Sequence, residues 1–189
     1  MGHREDLLEG AKRCLLEKGY GRTTARDVVA ASGTNLASIG YHYGSKDALL
    51  RQAYLALTEE RGARVIVALD RGEEPEAEPY RRFRELCSLL VGTAGADRPL
   101  RRLQTEVVTR LDDDEELREA IREPGRRGRL DMAEEALGID PEAEPEKARA
   151  AGLLLQALAA GVTVQWLADP ETAPTADDLV AGLRAVMGE

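Results

Sequence analysis

Nowhere in this chain do β-branched residues alternate with polar ones over five or more positions between turn signals, so it offers no half-buried strand. Apolar residues recur instead at helical intervals, cut into segments by Gly, Pro and short polar caps. The predicted fold is all-α. A first helix is expected over residues 4–18, where Leu7, Leu8, Ala11, Cys14 and Leu15 fall at i, i+1, i+4, i+7 and i+8 and Gly19 ends the run. Two short helices follow, one over 25–31 with Thr24 as its N-cap and Val28 and Val29 inward, the other over 35–43. Ser32-Gly33-Thr34 separates them, and Gly44 stops the second. Ser45 then caps a long helix over 46–71, with Asp47 in the first turn where the helix dipole favours an anion. Residues 72–79 read as a solvated loop. Further helices are expected over 80–94, 98–111, 114–137, 145–168 and 175–187, with Pro124-Gly125 kinking or interrupting the third of these.

Composition narrows the class. With 189 residues, 43% of them hydrophobic, the chain is long enough for one large or two small domains sharing a core. Cys14 and Cys87 are its only cysteines, and both lie in apolar-periodic segments. They are expected buried and reduced, which points to the cytoplasm. The N-terminal residues carry charges where a signal peptide would need its apolar run, arguing against secretion. Residues 150–168 contain no charged side chain over a length that could span a bilayer. Gln156, Thr163 and Gln165, many Ala and Gly, and the lack of a positive flank favour a buried interface helix instead, so no membrane partner is expected. The net charge of -9 is unevenly spread. Residues 1–50 hold seven basic and six acidic side chains, a balance of +1, which leaves -10 on residues 51–189. A first part approaching a polyanion and a body that does not would have this asymmetry.

Two short helices joined by a Gly-containing turn, the first capped by Thr and the second polar and aromatic on its outer face, form a helix-turn-helix pattern. In that motif the second helix enters the major groove, while the first helix and adjoining caps hold phosphates. Thr24, Arg26 and Lys46 sit at helix starts, which attract anions. Tyr41 and His42 can donate to phosphates as neutral side chains. The alternative for Tyr41-His42-Tyr43 is that these rings only pack the hairpin against the first helix, and this is the expectation for Tyr43, next to the Gly44 stop.

From about Asp6 to Leu50 the sequence resembles the TetR family of bacterial transcriptional regulators. The matching features are Gly19-Tyr20, Thr23-Thr24, Ala31-Ser32-Gly33 and the run from Tyr41 through Gly44-Ser45-Lys46-Asp47 to Leu50. The resemblance implies a homodimer, each chain carrying an N-terminal three-helix DNA-binding domain (residues 1–48) and a divergent helical effector-binding and dimerisation domain (49–189). It places base reading on Leu36, Ala37, Ser38, Gly40 and Tyr41 and phosphate holding on Thr24, Arg26, His42 and Lys46, with Ile39 as the buried anchor. Gly40 departs from the pattern, standing where many members carry Tyr, and weakens the helix by roughly 0.5–1 kcal/mol relative to Ala. No Arg, Lys or Gln lies on the recognition helix, so bidentate base recognition falls to Asn35 at most, and thymine-methyl contacts and indirect readout gain weight.

A dimer must set two recognition helices roughly 34–36 Å apart to read a palindrome. Leu154, Leu158, Gly161 and Gln165 follow i, i+4, i+7 and i+11, and Leu179, Leu183 and Val186 line the final helix; packed against their symmetry mates these would make a four-helix bundle. The alternative is that they form only the protomer's own core. An effector pocket is expected among the helices between Lys46 and Leu137, where Arg81, Arg82, Arg84, Arg101, Arg102, Glu106, Arg110 and Asp131 could reach it or could simply face solvent. Enzymatic function finds little support. The only histidines are His3 and His42, no His/Cys cluster has metal spacing, no Gly-x-Ser-x-Gly elbow occurs, and no cofactor is expected. The acidic run 112–116 lacks the glycine and terminal glutamate of a calcium loop. The expected function is a regulator, a repressor by preference, that binds a palindromic double-stranded DNA operator and is released by a small-molecule effector. The alternative is a dimeric helical ligand-binding adaptor that has lost operator binding.

Overall fold

The computed structural model describes residues 2–68, 79–92 and 97–188, and among these the chain is all-helical with no strand. The helices are α1 (His3–Lys18), α2 (Ala25–Ser32), α3 (Leu36–Tyr43), α4 (Lys46–Ala68), α5 (Pro79–Gly92), α6 (Arg98–Val108), α7 (Glu115–Leu137), α8 (Pro145–Ala168) and α9 (Ala176–Met187). Of the loop expected at 72–79, residues 72–78 lie outside the described residues, as do the expected ends of the fourth and fifth helices, while Pro79 begins α5 and is not part of the loop.

Local chemistry accounts for the helix ends. The Thr24 hydroxyl accepts from the Asp27 N–H, and the Asp27 carboxylate reaches back to the Thr24 N–H at 2.9 Å, a reciprocal capping box. Gly33 closes α2 in the left-handed region at φ 68°, where a side chain would be strained. Asn35 stands outside α3 as its N-cap, accepting from the Ser38 N–H at 3.1 Å, and is not its first residue as periodicity had suggested. Ser45 caps α4 by accepting from the Ala48 N–H at 3.0 Å. Shorter than expected, α6 ends at Val108 and gives way to turns, and Asp114 then caps α7 by accepting from the Leu117 N–H at 2.8 Å. Contrary to the expected interruption, α7 continues through Pro124. That position is exposed, so the carbonyl deprived of its helical donor can turn toward solvent.

The chain forms two compact units, residues 1–61 with 99–124, and residues 62–98 with 125–189. In the first, Leu7, Leu15, Val28, Leu49, Leu50, Leu103, Val107 and Leu117 are fully or almost fully buried in one core that also takes Ile39 and Tyr43. Close backbone approach helps to build it: a Cβ on Gly10 would stand 2.8 Å from Ser32 Cβ and 3.1 Å from the Val28 carbonyl oxygen, so α1 and α2 meet where α1 has no side chain. Lys12, on α1, bonds to Glu9 and across to Glu60 on α4. Tyr43 donates from its hydroxyl to the Arg4 carbonyl at 2.7 Å, which is the packing role expected of it.

In the second unit Phe83, Leu86, Cys87, Leu90, Ala136 and Leu155 form the core, with Leu158, Leu179, Val180 and Leu183 packed against it half-buried. An Arg84–Asp177 ion pair and the Arg184 guanidinium, 4.6 Å from the centroid of the Tyr80 ring, fasten α5 to α9. Both cysteines are free and buried, as their setting in the sequence implied.

Candidate nucleic-acid interface

Burial divides α3 cleanly. Leu36, Ala37, Gly40 and Tyr41 are exposed, Ser38, Ile39 and Tyr43 are buried, and His42 is half-buried. The exposed four fall at i, i+1, i+4 and i+5 and so share one helix face. Leu36 is 54% and Tyr41 85% exposed, unusual for large apolar or aromatic side chains in a chain with so few rings. The Tyr41 and His42 rings meet edge to face, with centroids 4.8 Å apart. Ile39, only 4% exposed, anchors the helix as expected.

Two residues expected to read bases are differently engaged. Ser38 is only 9% exposed and belongs with the buried side of α3. The Asn35 side-chain oxygen is committed to the Ser38 N–H, so its capacity for bidentate contact is already half used. The signal for Asn35 was present in the sequence, because Asn three residues before a helical N–H is a cap by preference.

The expected phosphate-holding groups lie at the helix starts on either side of α3 in the chain. Thr24 and Arg26 are exposed at the N-terminus of α2, and Lys46 is half-buried at the start of α4, 2.9 Å from the Asp47 carboxylate. Helix N-termini concentrate partial positive charge and unpaired N–H groups, which suits phosphate. The start of α2 is tied down from behind: Thr23, 1% exposed, donates to the Gly19 carbonyl at 2.7 Å, and Lys18 pairs with Asp27. The Lys18 ammonium, with the Thr24 N–H and hydroxyl, holds the Asp27 carboxyl well below the ordinary carboxylate value of 3.8. Among the described residues no group of three or more His, Cys, Asp or Glu could hold a metal ion.

The expected dimer residues divide. Leu158, Leu179 and Leu183 contribute to the protomer's own core, Gly161 is half-buried, and Leu154 and Gln165 are exposed. Helix α8 buries Ala148, Gly152, Leu155 and Val162 and leaves Leu153, Leu154 and Val164 on the opposite side open, as Val186 and Met187 are on α9. Length and composition would let α8 cross a membrane, and only 17% of its most apolar window is buried. Of the polar residues expected near a pocket, Arg101 is fully buried, while Glu106 and Arg110 engage the loop after α1.

Residues 7–53 match the family model of bacterial regulatory proteins of the tetR family. Over 62 residues, 33% of this chain, the sequence is 40% identical to the HTH-type transcriptional repressor AcnR of Corynebacterium efficiens, and covers 31% of that protein. It is 35% identical over 68 residues to the HTH-type transcriptional repressor Rv1474c of Mycobacterium tuberculosis, covering 36% of this chain and 34% of that one. The chain thus spans about a third of the length of the curated relatives it matches. Solved structures extend the likeness in fold to the whole chain. SCO7518 of Streptomyces coelicolor A3(2) superposes with a TM-score of 0.71 at 22% identity, covering 97% of both chains. The multidrug binding protein EbrR, complexed with proflavin, gives 0.69 at 24%, covering 97% of this chain and 99% of that one.

Proposed function

We propose, from the match of residues 7–53 to the family model of bacterial regulatory proteins of the tetR family, that the whole chain is a ligand-responsive transcriptional regulator, a repressor in mode, acting in the bacterial cytoplasm. The observation that carries this reading is the exposed face of α3, Leu36-Ala37-Gly40-Tyr41, on a helix that follows and precedes, in the chain, the capped N-termini of α2 and α4. An apolar and aromatic face is costly to leave in water unless a partner covers it. Flanked by helix starts bearing Thr24, Arg26 and Lys46, it suits a duplex groove lined by phosphates. Leu36, Ala37, Gly40 and Tyr41 are the proposed base-reading residues, aided by His42, with thymine methyls as natural partners for the apolar side chains. The proposed division of labour is DNA binding by residues 1–48 and effector binding and dimerisation by 49–189.

Dimerisation is proposed through the open apolar side of α8 and the exposed end of α9, around Leu154, Gly161, Gln165 and Val186. A second copy would cover these and bring two α3 helices to one palindrome. Proflavin binding is a property of EbrR; for this chain the related proposal is a small-molecule effector that favours the arrangement unable to bind DNA. A coupling of about 1–3 kcal/mol would change operator affinity roughly 5–150-fold. The absence of Arg, Lys and Gln from α3 favours one competing reading, a dimeric adaptor that keeps the hairpin without reading DNA.

The deciding experiment is binding of the purified protein to the intergenic duplex flanking its own gene, against a random duplex, across a range of salt. Tight binding that protects a palindrome and weakens steeply with salt supports the regulator. Equal, weak binding to that duplex, to random DNA and to a genome-wide selected pool sinks it in favour of the adaptor.

A further inference from the structure

The loop between α1 and α2 reads Gly19-Tyr20-Gly21, and a carboxylate 85 residues away grips it. Glu106, on α6, accepts from the Tyr20 N–H at 3.0 Å through Oε2 and from the Gly21 N–H at 2.8 Å through Oε1. Two successive backbone N–H groups converging on one anion make a stronger, more directional hold than a neutral turn contact. Four residues on, Arg110 approaches Glu106 at 3.4 Å and places its guanidinium 5.9 Å from the centroid of the Tyr20 ring. The loop is cut to receive this pair. A Cβ on Gly19 would overlap the Glu106 carboxylate, and one on Gly21 would overlap the Arg110 guanidinium. Gly21 has no positive φ, so what the contact requires of it is space.

The gripped residues lead directly to the DNA-facing groups. Thr23 hangs from the Gly19 carbonyl, and Thr24 caps α2 at the proposed phosphate site. Tyr20 is 6% exposed, so the loop has little freedom to shift without breaking the grip or exposing its ring. We propose that Glu106 is a positioning residue for DNA binding: its carboxylate fixes the Gly19–Gly21 loop and through it the N-terminus of α2. This rests on the reading of α2 and α3 as the DNA-binding hairpin.

The test compares wild type, Glu106→Ala and Glu106→Gln. Three quantities are measured: hydrogen exchange of the Tyr20 and Gly21 amides, thermal midpoint, and affinity for the intergenic duplex at a temperature where every variant is folded. Glu106→Ala is expected to lower protection of both amides by about 10-fold or more and to weaken the duplex by a similar factor. Glu106→Gln, which keeps one acceptor oxygen, should fall between. Should the alanine variant fail to fold, the glutamine variant carries the same comparison. Unchanged protection in the variants overturns the proposal. So does lost protection with undiminished affinity, since a carboxylate that only stabilises the fold would lower the midpoint alone. If the wild type binds no duplex, the regulatory reading fails separately, and amide protection still decides whether Glu106 holds the loop.

Discussion

Replacing glycine with alanine at two helical positions should move stability in opposite directions. At Gly40, on the exposed face of α3, an added Cβ meets no atom within 4 Å. Its sole large effect is to remove backbone freedom from the unfolded chain, worth roughly 0.5–1 kcal/mol in a helix interior. At Gly10, on α1, the same methyl would lie 2.8 Å from Ser32 Cβ, 3.0 Å from the Ser32 nitrogen and 3.1 Å from the Val28 carbonyl oxygen. These atoms belong to backbone or are bonded to it, so α2 itself must move. Such overpacking costs about 1–3 kcal/mol, and the helix gain of roughly 0.5–1 kcal/mol offsets only part of it. For a chain of this size 1 kcal/mol shifts the midpoint by roughly 2–4 °C. Gly40→Ala should therefore raise it by about 1–4 °C, and Gly10→Ala should lower it by up to about 10 °C. Thermal denaturation followed by circular dichroism, at one protomer concentration because a dimer's midpoint depends on it, reads both. A stabilised Gly10→Ala, or a destabilised Gly40→Ala, would refute the account of how α1, α2 and α3 are assembled.

Five further outcomes follow from the same geometry. Lys46→Ala should weaken all duplexes alike and flatten the slope of log affinity against log salt by about 2 for a dimer, measured by fluorescence anisotropy. Tyr41→Ala should change which base is preferred as well as affinity, and equal loss on specific and random DNA would remove Tyr41 from base reading. The depressed Asp27 carboxyl contributes stability that is present above its ordinary value near 3.8 and is lost as pH falls toward its folded value. Asp27→Asn should accordingly reduce stability at neutral pH, and the gap from wild type should close in acid. Burial pushes the Tyr20 and Tyr54 hydroxyls up to about 12, so in an absorbance titration both should ionise late, with stability falling as pH rises from about 10 through 12. Leu154→Glu should shift sedimentation toward monomer if α8 pairs with its copy, and an unaltered dimer would place the interface elsewhere.

What could be read in the sequence was local. Thr24, Gly33, Gly44 and Ser45 act on atoms within a few residues of themselves, so the ends of α2, α3 and α4 were legible to within a residue or two where described. Periodicity located the buried side of α1, and the neighbouring Gly44 stop the inward Tyr43. It could not say what covers a given side. Leu179 and Leu183 share a face of α9 as expected, but that face packs on the protomer's own core, whereas Leu153, Val164 and Met187, not singled out beforehand, stay open. Ser38 illustrates the complementary failure. The family pattern places it among base readers, yet burial on an eight-residue helix depends on a few degrees of rotation that the pattern does not encode.

Glu106 and Arg110 were the least legible, because their partners are distant in sequence and are backbone amides and a ring face, which carry no charge code. The informative residues were on the other side of the contact. Gly19 was legible as the end of the first helix, and at φ 87° it does use a glycine's freedom. Gly21 does not, and there the Arg110 guanidinium and the Glu106 carboxylate come close instead. The same argument applies to Gly10 against Ser32 and to Gly152, where a Cβ would overlap the Arg129 carbonyl and α7 and α8 come into contact. In a helical protein with few aromatic anchors, such absences of side chain fix the packing as firmly as the leucines do. Gly10 and Gly152 also make sharp tests, since one methyl group at either should be felt across an interface between helices.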